Sequence, residues 1–112
     1  MNVSYEGIGR LAITMPNSSA QVGKLCSLDS MGKATLSGPG EPFLGLVEAV
    51  DKDMAAVQIQ GIVTVSVTGS CPPRGYIKLI SDGNGGVKTD ASGKEYWVIA
   101  ANNAASTITM KL

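Results

Sequence analysis

Apolar and polar residues alternate along much of this chain with a period of two. The last seven residues show it best. Ile108, Met110 and Leu112 fall on one face, Thr107, Thr109 and Lys111 on the other, as in a strand with one buried side. The run Ile62 to Thr68 repeats the pattern, with Val63, Val65 and Val67 inward and Thr64, Ser66 and Thr68 outward. Just before it, Ala55, Val57 and Ile59 alternate with Ala56, Gln58 and Gln60, and Gly61 separates the two runs as a bulge or bend.

Weaker strand signals run from Arg10 to Met15, Lys24 to Leu28, Phe43 to Val50, Tyr76 to Ser81, Gly86 to Thr89 and Glu95 to Ala100. Between them lie the turn formers Gly38-Pro39-Gly40, Cys71-Pro72-Pro73 and Asp82-Gly83-Asn84-Gly85-Gly86. The best place for a helical turn is Glu48 to Ala56, with Pro72-Pro73 second, but the former lacks a clean apolar face. No internal repeat is visible. The pattern predicts a mostly β fold, a small barrel or sandwich of short antiparallel strands with an extended N-terminal segment. Residues 1–20 read as an N-terminal arm or a first strand, and residues 21–112 as a single β-rich domain.

With 112 residues and 44% hydrophobic content, the chain is the size of one domain with one core. Nine basic and nine acidic residues cancel and do not cluster, so the footprint of nucleic-acid binding is missing. No apolar stretch approaches the roughly 20 residues of a membrane span, and the first residues lack the pattern of a signal peptide. A cytoplasmic origin is the expectation. Cys26 and Cys71 read first as two small buried apolar residues, with a disulfide between them left open.

Chemistry is sparse. The chain has no histidine, so the commonest general base and metal ligand is missing and a Ser-His-Asp or Cys-His arrangement cannot form within it. The carboxylates are Glu6, Asp29, Glu41, Glu48, Asp51, Asp53, Asp82, Asp90 and Glu95. Asp51 and Asp53 bracket Lys52 in a polar stretch that reads as a turn. Asp82 to Gly86 lacks the ligand spacing of a calcium loop, and Asn84-Gly85 is explained by a hairpin turn with positive φ. We expect no catalytic, cofactor or metal site. Tyr96-Trp97 is the one adjacent aromatic pair, either an interface or two residues facing opposite sides of a sheet. Leu11, Ile13 and Met15 alternate in the N-terminal segment, as in a strand offered to a partner's sheet edge.

Several segments together follow a familiar order. They are Gln21-Val22-Gly23-Lys24-Leu25-Cys26, Phe43-Leu44-Gly45-Leu46-Val47, Ala56 to Val65 around Gly61, Gly75-Tyr76-Ile77-Lys78-Leu79, Asp82-Gly83 with Gly86-Val87-Lys88, Tyr96-Trp97-Val98-Ile99, and Thr107 to Leu112. Over about residues 20–112 this order resembles the head-decoration, or capsid cement, proteins of tailed bacteriophages. The resemblance implies a non-enzymatic structural virion protein, made in the bacterial cytoplasm and carried on the capsid exterior. It further implies a partner in the phage major capsid protein, a homotrimer on the shell, and stabilisation of the expanded head by bridging capsid subunits. Leu11, Ile13 and Met15 are then the expected capsid contacts, and Tyr96 and Trp97 the expected interface aromatics. A tail or head-fibre module that grips a host surface is the alternative.

Overall fold

The computed structural model describes residues 11–112, all β strands and connections. The strands are β1 (Leu11–Pro16), β2 (Leu25–Leu28), β3 (Ala34–Leu36), β4 (Gly45–Asp51), β5 (Met54–Gln60), β6 (Ile62–Ser66), β7 (Gly75–Ser81), β8 (Val87–Thr89), β9 (Lys94–Asn102) and β10 (Thr107–Lys111). They form two five-stranded antiparallel sheets, ordered β1-β5-β4-β2-β3 and β6-β10-β9-β7-β8. The mostly β expectation holds. Gly61, at φ 110°, is the bend at which the chain leaves the first sheet and enters the second.

The two halves have the same construction. Shifting every strand of the first sheet five places along the chain reproduces the order of the second. The details agree as well. In the first sheet a one-residue bulge takes the pairing from Val47↔Val57 to Ala49↔Ala56, and in the second it takes Val98↔Met110 to Ala100↔Thr109. Each sheet also curls until its outer strands meet at one parallel bridge, Asn17↔Ala34 in the first half and Val67↔Val87 in the second. Ser18 N–H donates to Ala34 O at 2.8 Å, and Thr68 N–H donates to Val87 O at 2.9 Å.

Each curled sheet holds its own core. The first is lined by Met15, Ala20, Cys26, Ala34, Val47, Ala55 and Val57, mostly small side chains. The second contains Val63, Val65, Val67, Leu79, Val87, Val98, Ile108 and Met110. Its side chains are larger, and residues of the first half cap it: Leu25 is fully buried in it, and Phe43 and Leu46 pack against it. Full burial of one such aliphatic side chain contributes roughly 1.5–3 kcal/mol.

The repeat is hidden in the sequence because equivalent positions keep apolar character but not identity. Ala55 and Val57 of one half match Ile108 and Met110 of the other. The single expected core is therefore two.

Three other expectations change. Glu48 to Ala56 is no helical turn but the β4–β5 hairpin, reversed at Asp51-Lys52-Asp53 with Lys52 at φ 51°. Pro72-Pro73 lies in an irregular connection. The three-residue β3 gave no sequence signal, because Ala34-Thr35-Leu36 is too short to show a period.

Residues 11–16 of the N-terminal segment are not a detached arm. They form the strand β1, paired along β5 from Leu11↔Gln60 to Pro16↔Met54. The remainder of that proposed arm, residues 1–10, lies outside the described residues.

Candidate functional site

Two surfaces stand out, and the sequence pointed to part of each. The first is the outer edge of β1. Among the described residues this strand pairs only with β5 until Asn17, just past its end, bridges Ala34. Leu11 and Ile13 are exposed there, at 48% and 37%, whereas Met15 is 9% exposed and belongs to the first core. Of the three alternating residues, two are thus free for a partner and the third is spent on folding. A strand edge with unpaired backbone groups and apolar side chains is a ready site for an added strand.

The second surface is the outer face of the second sheet. β7 and β9 place Tyr76 opposite Trp97. The two rings stack with centroids 4.9 Å apart and planes at 28°, and they are 53% and 56% exposed. Lys94, Glu95, Lys111 and Leu112 line the shallow recess beside them. Offset aromatic stacking of this kind contributes about 0.5–1.5 kcal/mol beyond burial, so the platform is held in shape before anything binds.

The adjacent aromatics Tyr96 and Trp97 point to opposite sides of β9. Tyr96 is half-buried, stacked on Phe43 at 5.1 Å, with Lys94 Nζ 5.6 Å from its ring centre; burial pushes its phenol up. Tyr96 therefore joins the two halves, and Trp97 is the more exposed of the pair. Its real partner, Tyr76, was missed because cross-strand register is not written in local sequence.

The Asp82 loop is a turn, as expected, but its positive φ values fall at Gly83 (86°) and Gly85 (89°). Asp82 Oδ1 accepts from Asn84 N–H at 2.7 Å and Gly86 N–H at 3.1 Å, and Oδ2 accepts from Thr68 Oγ1 at 2.7 Å. Burial pushes this carboxyl up, and the three bonds more than reverse that, holding it below the ordinary carboxylate range. These bonds serve the loop itself. Among the described residues, no three His, Cys, Asp or Glu side chains are grouped to hold a metal ion. Cys26 is buried and Cys71 partly so, both as free thiols; burial pushes the Cys26 thiol up. No family model, curated protein or solved structure matches this chain.

Proposed function

We propose that this domain is a non-catalytic binding module of a phage virion, seated on the outside of an expanded capsid and stabilising it by bridging major capsid subunits. The observation that carries the reading is the β1 edge. Among the described residues it is unpaired from Leu11 to Pro16, and it exposes Leu11 and Ile13. Backbone pairing along such an edge supplies affinity, and the apolar side chains supply register. The order of strands and glycines over residues 20–112, which resembles capsid cement proteins, supports the major capsid protein as the partner. A module that binds only the expanded lattice stabilises it by mass action, and many copies multiply a modest contact by avidity.

The test is co-sedimentation with expanded shells lacking the protein and with unexpanded procapsids. Saturable binding to expanded shells, a raised shell-disruption temperature, and loss of both with Ile13→Lys are expected. Absence of binding to either cognate shell would remove the capsid reading and direct attention to a tail or host-surface partner.

A further inference from the structure

The duplicated architecture states what covers the Tyr76–Trp97 face. Because Val47 matches Val98 at the equivalent bulges, Leu46 matches Trp97. Leu46 pairs with Leu25 in the first sheet, as Trp97 pairs with Tyr76 in the second. The same face of the repeated unit therefore appears twice, with β7 slid two residues along β9 relative to β2 along β4, a shift that leaves every side chain on its own face. In the first half the second half covers it: Leu25 is buried in the second core and Leu46 packs against that core. In the second half it is open, and it carries the two exposed aromatics.

The loop that helps cover the first patch is also duplicated. Asp82 N–H donates to Gly86 O, and Asp29 N–H donates to Lys33 O. The Asp82 loop seats on the first half, where Gly85 O accepts Leu25 N–H at 2.9 Å. The matching first-half loop, residues 29–33, instead projects Met31, 79% exposed, beside Leu28, 51% exposed.

One half thus ends in an uncovered receptor patch, and the other in an unused loop of the kind that covers it. We infer that the chain associates head to tail with a second copy of itself, the 29–33 loop and first half of one copy seating on the Tyr76–Trp97 face of the next. The contact continues the interface already present between the halves. Its central pairing brings a thioether to two aromatic rings, a favourable combination. It is heterologous, so each copy offers one socket and one plug. The inference is independent of the capsid reading, because it concerns the purified protein alone.

Sedimentation equilibrium of the full chain decides it. The wild type is expected to grow in mass with concentration, with a blue shift of Trp97 emission as the ring is covered. Trp97→Lys removes the socket and Met31→Glu the plug. Both sites are exposed, so each variant should keep the wild-type melting temperature, checked by circular dichroism. Each alone should be monomeric, and an equimolar mixture should form dimers and nothing larger, since one intact socket then meets one intact plug. A wild type that stays monomeric, variants that still associate, or a mixture that stays monomeric would each overturn the proposal.

Discussion

Asp29 and Asp82, about half the chain apart, fold their loops with the same bonds. Asp29 Oδ1 accepts from Met31 N–H and Lys33 N–H, both at 2.9 Å, as Asp82 Oδ1 accepts from Asn84 N–H and Gly86 N–H. An Asx turn ordinarily reads as a local device. Here its repetition marks the equivalence of two halves whose sequences have diverged, and the difference in what the two loops touch locates an open surface.

That difference makes the two aspartates unequal in stability. Asp82 also accepts from Thr68 Oγ1, which ties its loop to the chain just after β6. Asp82→Ala should cost about 2 kcal/mol, in the range of hydrogen bonds to a charged group, and Asp29→Ala about 1 kcal/mol or less, as its carboxylate makes only the two local backbone bonds among the described residues. Urea unfolding of both variants measures this. An equal or larger loss at Asp29 would contradict the assignment of loop roles.

Acid should unfold the protein partly through Asp82. Its carboxyl lies below the ordinary range in the folded chain and near about 3.9 when unfolded. The stability it contributes is therefore fully present above that ordinary value and is lost as pH falls through the lower, folded one. Asp82→Asn, which keeps an acceptor oxygen but no titrating group, should flatten this part of the stability curve below about pH 4. An unchanged acid limb would show that the carboxylate is not involved.

Glycines 32 and 85 hold the same loop position at φ +76° and +89°, and they should respond differently to alanine. At Gly32 an added Cβ meets open space, so the cost is backbone strain alone, about 1 kcal/mol. At Gly85 it would run into the Lys24 side chain, at the junction where Gly85 O holds Leu25 N–H. Gly85→Ala should lower the melting temperature several degrees further than Gly32→Ala. Similar losses at both positions would mean that the loop does not press on the first half.

The two thiols should differ in reactivity. Cys71 is partly exposed, whereas Cys26 is fully buried in the first core with its thiol pushed up by burial. One equivalent of a thiol reagent should react with the native protein and the second only at the rate of opening. Two fast thiols would show that the first half unfolds on its own.

The sequence by itself determined the class of fold and the position of most strands, because a half-buried strand must alternate. Val63, Val65, Val67, Ile108 and Met110 are buried as that period requires, and Thr64, Ser66 and Thr68 are exposed. Trp97 was legible as a residue, and so were Leu11 and Ile13.

What only the tertiary structure decided is pairing. Gln58, on the polar side of its strand's alternation, is 6% exposed, because the first sheet is covered on both faces there; its Nε2 donates to Gln60 O and Ile62 O. Met15 was spent on the core, Tyr76 was brought to Trp97, and the two halves were shown to be one design used twice. Period-two patterning specifies which side of a strand is apolar, but carries no record of which strand lies next to it. That is settled by long-range register, where apolar residues of different size, such as Ala55 and Ile108, fill equivalent places in the two cores.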